Sequence, residues 1–244
     1  MNVQYIKHSG FLVEFEKSIF IFDYYKGELL LPKTSKHIYF FVSHKHADHF
    51  SFKIFEYAKE HNSITFILSN DMKMNEKYMD RKEVPVEARD HIVYAHKNER
   101  FVLDQMVTVE TLASTDEGVA YMIDYNENGK VTKLYHAGDL NWWTWIGETK
   151  EEYENMKRSF FNEMKKIEGR DFDCAFVPLD PRQGERFWWG MDAFMKSADA
   201  KIVFPMHCWE DYTVIPKLRK MEEAKEYCDK IMEVHHCFET FDNL

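Results

Sequence analysis

The hexapeptide His44-Lys45-His46-Ala47-Asp48-His49 follows directly on the apolar run Tyr39-Phe40-Phe41-Val42, and this junction most restricts what the chain can become. A short apolar run rich in aromatic and β-branched residues reads as a buried strand. The hexapeptide therefore sits at a strand end, where the backbone turns and side chains can converge. Residues two apart in extended chain project to one side, which lets His44 and His46 share a metal ion. The turn behind them can aim Asp48 and His49 at a second position. A lone His-x-His carries little information, but three His and one Asp within six residues form a metal-binding pattern.

Other apolar runs end in similar chemistry. Ile19 to Phe22 ends at Asp23, Lys133 to Ala137 at Gly138-Asp139, Ala175 to Leu179 at Asp180, and Ile202 to Phe204 just before His207. Strand ends on one edge of a sheet are where loops can meet at a common point. Nitrogen and carboxylate donors without thiolates suit zinc, and also manganese or iron. Cys174, Cys208, Cys228 and Cys237 lack paired metal spacing and read as reduced, mostly buried thiols.

The pattern closely resembles the H-x-H-x-D-H signature of the metallo-β-lactamase superfamily. Tyr135-His136-Ala137-Gly138-Asp139 is similar to that family's strand-end Gly-Asp, Phe204-Pro205-Met206-His207 to its last His-bearing strand end, and Ile19 to Asp23 to its early strand with a supporting Asp. The resemblance covers most of the chain. It implies an α/β (α+β) fold, a four-layer αββα sandwich formed as a single domain over residues 1–244, and metal-dependent hydrolysis. It also implies the ligands: His44 and His46 for a first metal, Asp48, His49 and His207 for a second, and Asp139 as the bridge. Asp48 and Asp139 are the carboxylates it assigns to catalysis. The cofactor expected is one or two divalent ions, zinc first, with manganese or iron as alternatives. The strand His8-Ser9-Gly10-Phe11-Leu12-Val13 and the short chain resemble the lactonase-like group, which includes L-ascorbate-6-phosphate lactonases and acylphosphatidylethanolamine phospholipases.

One departure bears on the metal count. Where the family usually places a third His for the first metal, this chain has Leu112 to Tyr121 with no His. Asp116 is the candidate substitute, or Ser114 and Thr115 could hold a water that completes the coordination. A turn Asp more often caps its own backbone. A single-metal set of Asp48, His49, Asp139 and His207 is the alternative. His8, Asp180 and Arg182 are candidates for substrate contact, since Arg binds carboxylate and phosphate bidentately, although an Asp180–Arg182 ion pair would be purely structural. Trp142, Trp143, Trp145, Trp188 and Trp189 either wall a pocket or plug the core. His136 is expected to point away from Asp139, and His235, His236, Cys237 and Cys228 to be an incidental cluster.

A length of 244 residues suffices for one domain with a full two-sheet core, and 45% hydrophobic with 16% aromatic residues can fill it. A net charge of −10 argues against a nucleic-acid backbone as the main partner. The expected partner is a small-molecule substrate, a small, anionic ester, lactone or phosphoester. No apolar run approaches the roughly 20 residues of a membrane span, and no signal pattern opens the chain, so a cytoplasmic location is expected. Two rival functions share the scaffold: a catalytically weak metal-binding or ligand-sensing protein, motivated by the missing His, and a metallo-nuclease, which the charge disfavours.

Locally, helices are expected at Ser51 to Glu60, at 149 to 168 behind a Thr149/Glu152 capping box, around Asp192 to Ala198, and over Pro216 to Ile231. Asn126-Glu127-Asn128-Gly129 reads as a hairpin turn, and the polar stretch 70 to 98 as an insertion.

Overall fold

The computed structural model describes residues 1–31 and 34–244, which divide into two compact units: Met1–His96 with Cys237–Leu244, and Lys97–His236. The strands in chain order are β1 (Asn2–Lys7), β2 (Gly10–Glu14), β3 (Ser18–Phe22), β4 (His37–Val42), β5 (Ile64–Ser69), β6 (Ile92–Ala95), β7 (Arg100–Val102), β8 (Val107–Ala113), β9 (Val119–Glu127), β10 (Lys130–His136), β11 (Asp171–Pro178), β12 (Asp199–Met206) and β13 (Thr240–Phe241). The α-helices are α1 (Glu76–Arg81), α2 (Val86–Arg89), α3 (Lys150–Met164), α4 (Trp189–Ser197) and α5 (Val214–Arg219).

The first unit is built on one sheet ordered β13-β1-β2-β3-β4-β5-β6. β1 to β3 form an antiparallel meander, whereas β3 to β6 pair in parallel and need crossovers. Parallel strands expose their C-terminal ends on the same edge. Phe22 therefore pairs with Phe41, and Asp23 comes to lie beside the start of the hexapeptide. Central strands are apolar on both faces, which explains their continuous hydrophobic runs. Ile19, Ile21, Ile38, Phe40, Val42, Ile64 and Phe66 pack with Ile54, Phe55 and Ala58 of the β4–β5 crossover and with Met79 and Ala88 of α1 and α2. The alternate set, Phe20, Phe22, Tyr39 and Phe41, is equally buried and in mutual ring contact.

The second unit holds a sheet ordered β12-β11-β10-β9-β8-β7. β7 to β10 are antiparallel and β10 to β12 parallel, so the segments after β10, β11 and β12 again leave one edge. Asp139, Asp180 and His207 follow those three strands. The β9–β10 turn carries Asn128 and Gly129 at φ 55° and 82°, the left-handed pair that an Asn-Gly hairpin turn requires. α3 starts at the expected capping box, with the Thr149 side chain accepting from the Glu152 N–H and the Glu152 carboxylate accepting from the Thr149 N–H. It buries Phe160 and Met164, and Phe194 of α4 stacks on Tyr135.

Several local expectations need correction. The helix after the hexapeptide is a 3-10 helix, Phe52–Lys59, capped by the Ser51 side chain. Residues 70 to 98 contain α1, α2 and β6, an ordered crossover whose Met72, Met79, Val84 and Ala88 join the core. Pro216 to Ile231 is not one helix. It breaks into α5, a 3-10 turn Glu222–Ala224 and another at Cys228–Lys230, because Ile231 bridges Val203 and the Met232 N–H donates to the Val203 carbonyl. Tertiary pairing wins there over helical spacing. Among the described residues, no helix is long and apolar enough to cross a membrane.

Candidate metal-binding residues

In the first unit the centre is Asp23, buried at the end of β3 with φ 40°. Its Oδ1 accepts the Ser43 N–H at 2.7 Å, and its Oδ2 accepts the Ser43 hydroxyl at 2.6 Å. The same Oδ2 lies 2.8 Å from His49 Nδ1. A carboxylate can only accept, so that nitrogen carries the proton, and in the neutral ring Nε2 is the nitrogen with a lone pair to offer. His44 Nδ1 contacts the Ser43 hydroxyl at 3.0 Å, and His44 Nε2 lies 2.9 Å from His46 Nδ1. The His46 carbonyl accepts the N–H groups of His49 and Phe50, which is the turn that reverses the chain behind His46. His44 and His49 are buried, with ring centroids 4.1 Å apart, while His46 and Asp48 are half-buried.

His8, in the loop between β1 and β2, belongs to the same neighbourhood. Its Nε2 lies 3.6 Å from Asp48 Oδ2 and its ring stands edge-on to His49 at 5.3 Å. His8, Asp48 and His49 each offer a ligand atom within 4.8 Å of the others.

In the second unit Asp139 Oδ1 lies 3.2 Å from His207 Nε2, both side chains being buried. His207 adopts φ 65°, and its Nδ1 donates to Asp180 Oδ2 at 2.9 Å. Asp180 also accepts from Arg182, through Nε at 3.0 Å and Nη2 at 2.6 Å, and from Trp209 Nε1 at 3.2 Å. Burial by itself would raise the Asp180 pKa. The hydrogen bonds from His207 and Arg182 outweigh it, so the carboxyl is held down at about 2. Asp180 is thus a buried anion fully engaged with the protein, and its ion pair with Arg182 is real.

Asp139 and His207 open into a cleft of about 190 Å³ shared with Thr115, Asp116, Trp143, Trp145, Met156 and Arg182. Trp143 and Trp145 stack with an interplanar angle of 2°, and the Arg182 guanidinium lies 4.4 Å over Trp209. The tryptophans therefore divide. Trp143 and Trp145 wall the cleft, whereas Trp142 packs among Phe160, Phe161 and Trp189, and Trp188 donates to the Glu185 carbonyl.

The turn that replaces the missing His is tied down locally. The Asp116 N–H donates to the Ser114 hydroxyl at 3.1 Å, and the Thr115 hydroxyl bonds the Asn141 carbonyl at 2.6 Å, beside Asp139. His136 is buried and its Nδ1 accepts the Gly138 N–H at 3.2 Å, shaping the loop before Asp139. Cys174 and Cys208 are buried thiols outside any disulfide, and burial pushes both of them up. Sequence reasoning missed Ser43 and Trp209, neither of which belongs to a recognisable motif, and it gave Thr115 a water-holding role where the structure shows a bond to the Asn141 carbonyl. It also missed the use of Asp180 as the carboxylate behind His207, a role its position two residues before Arg182 disguises.

Comparison of the sequence with protein-family models and with curated proteins gives no match. Among solved structures the chain is similar to a protein from Parabacteroides distasonis provisionally named a metal-dependent hydrolase, with a TM-score of 0.63, 16% identity, and coverage of 96% of this chain and 92% of that one. It is similar to Igni18, a metallo hydrolase from the hyperthermophilic archaeon Ignicoccus hospitalis, with a TM-score of 0.58, 18% identity and 100% of both chains covered. The metallo-beta-lactamase fold protein YhfI from Bacillus subtilis matches with a TM-score of 0.57 at 12% identity over 99% of both chains. At such identities the likeness speaks for the fold, and the fold of this chain is the mixed α/β, two-sheet metallo-β-lactamase fold.

Proposed function

We propose that this chain is a metal-dependent hydrolase whose ligands are drawn from His44, His46, Asp48, His49, Asp139 and His207, and whose substrate is a small anionic ester, lactone or phosphoester. The observation that carries the reading is a repeated device: Asp23 behind His49 at 2.8 Å and Asp180 behind His207 at 2.9 Å. A metal-ligating imidazole characteristically donates its second N–H to a carboxylate, which fixes the tautomer and raises ligand basicity. Two such pairs, one in each unit and each at a parallel strand end, are hard to explain by packing alone. The donor set of imidazoles and carboxylates fits a divalent ion, zinc first, with manganese or iron as alternatives.

A bound divalent ion would supply Lewis acidity, making water nucleophilic near neutral pH and offsetting charge on the reacting oxygen. The chain's own groups supply the rest. Asp23 and Asp180 keep the Nδ1 protons in place, so that Nε2 of His49 and of His207 stays available as a donor. Arg182 is half exposed and uses only Nε and Nη2 on Asp180, which leaves N–H groups for an anionic substrate. Trp143 and Trp145 form an aromatic wall beside Asp139 and His207. One domain, a cytoplasmic location and membership of the lactonase-like group are parts of the same proposal, resting on the sequence resemblance.

The test is elemental analysis of protein purified without chelator, paired with turnover on a panel of esters, lactones and phosphodiesters. The metal-loaded parent should turn over at least one class, and Asp139→Ala should abolish that activity with an unchanged circular dichroism spectrum. Full activity in Asp139→Ala refutes the assignment. The turn without a His at Ser114 favours a second reading, a metal-binding or ligand-sensing protein. Stoichiometric metal with no turnover on any class would select it.

A further inference from the structure

We propose that His8 is a metal ligand, forming with Asp48 and His49 a three-donor face for one divalent cation. The inference rests on the metal reading of the hexapeptide and adds to it a residue from a different strand pair.

Distance is the first argument. His8 Nε2 and Asp48 Oδ2 are 3.6 Å apart, too far for a hydrogen bond. With metal bonds of about 2.0–2.2 Å in tetrahedral geometry, two ligands of one ion stand about 3.3–3.6 Å apart. The pair thus has the separation of neighbouring ligands. His49 completes the group, since the three residues' ligand atoms lie within 4.8 Å of one another. The His49 proton on Nδ1 is committed to Asp23, so Nε2 is the nitrogen left to coordinate.

The backbone is the second argument. Lys7 pairs with Gly10, so His8 and Ser9 form a two-residue hairpin loop, and His8 adopts φ 57°. Gly, Asn or Asp is the usual occupant of such a position. An imidazole held there has to be over-determined by its surroundings, and such outliers gather at functional sites. Here the His8 N–H donates to the Tyr5 hydroxyl at 2.8 Å. A side chain at Gly10 would stand 3.0 Å from the Lys7 carbonyl and 3.2 Å from the Asp23 carbonyl, so glycine lets the hairpin tip settle on the segment that holds His49. His8 is 4% exposed although it sits at a hairpin tip. In a chain whose other metal position lacks a His, an added imidazole beside Asp48 and His49 would make that position the tighter one.

The experiment titrates chelator-stripped protein with zinc against a competing chelator and follows cobalt(II) substitution by its visible absorption. The variants are His8→Gly, His8→Asn and, as reference, His49→Ala. Glycine and asparagine both suit φ 57°, so the apo variants should melt at or above the parent temperature while zinc affinity falls on the order of tenfold or more. The cobalt band should change as one nitrogen donor is lost. In the unaltered chain labelled with nitrogen-15 histidine, the His8 Nε2 resonance should shift on zinc addition. An unmoved resonance overturns the proposal whatever the variants do. Unchanged affinity and cobalt spectrum in both His8 variants, alongside loss in His49→Ala, overturns the His8 role and leaves the metal reading of the hexapeptide standing. No zinc bound by the parent overturns both.

Discussion

Asp180 accepts the Nδ1 proton of His207 at 2.9 Å and thereby decides which nitrogen of that imidazole faces Asp139. The carboxylate has no hydrogen to give, so the neutral ring is held in the tautomer a metal ligand needs. The hydrogen bonds from His207 and from the Arg182 guanidinium keep Asp180 ionised in a buried place.

Asp180→Asn keeps the shape and removes the charge. Zinc affinity should fall about 10- to 100-fold, as for other partners that orient a ligating His. Competition with a chromophoric chelator measures it, and parental affinity in the variant would contradict the orienting role.

The same residue should leave a mark on acid stability. Its folded pKa of about 2 lies below the ordinary aspartate value of 3.8, so the native state binds this proton less readily than the unfolded chain. The sign follows: the stabilisation is fully present above about pH 4 and is lost as pH falls through about 2. Its size is about 2 kcal/mol by linkage. Urea unfolding of apo protein should show the parent more stable than Asp180→Asn at pH 6, with the gap closing near pH 2.

Ser114 and Asp116 test the turn without a His. Ser114→His should raise zinc affinity at the first position if this turn stands in the place of the usual third His, and Asp116→Asn should lower it if Asp116 is a ligand. Isothermal titration of both variants reads the outcome. No change in either would assign the Ser114 to Gly118 turn to cleft shape through Thr115, which already bonds the Asn141 carbonyl.

Phe66 is fully buried between Phe40 and Phe55, with ring centroids 5.5 Å and 5.0 Å away. Phe66→Ala should cost about 3–5 kcal/mol, the lost transfer energy plus a cavity that β5 cannot close. Denaturant melts give the value. A cost near 1 kcal/mol would mean that the helical layer over this sheet collapses readily.

The sequence by itself determined the elements whose signals are local. The run Tyr39 to Val42 is apolar because β4 is buried on both faces, so its end and the hexapeptide could be placed. The Thr149/Glu152 box and the Asn128-Gly129 turn are short-range hydrogen-bond and dihedral chemistry, legible within four residues. Metal chemistry was legible for the same reason, since four donors crowd into one segment.

Only the tertiary structure decided what depends on distant pairing. Asp23 reaches Ser43 and His49 because β3 and β4 run parallel with Phe22 opposite Phe41, a register set by packing. Trp142 and Trp143 part because adjacent positions after β10 face different surroundings, one the rings of α3 and α4, the other the Asp139 cleft. The segment from Pro216 to Ile231 has helical spacing yet breaks, since the bridge between Ile231 and Val203 outweighs the small per-residue preference for helix. In the sequence His8 stands as a candidate for substrate contact, with no local sign that it lies beside Asp48 and His49. Its place beside Asp48 and His49 follows from a hairpin tip resting on the Asp23 backbone where Gly10 leaves room, a contact between segments that no single stretch of sequence encodes.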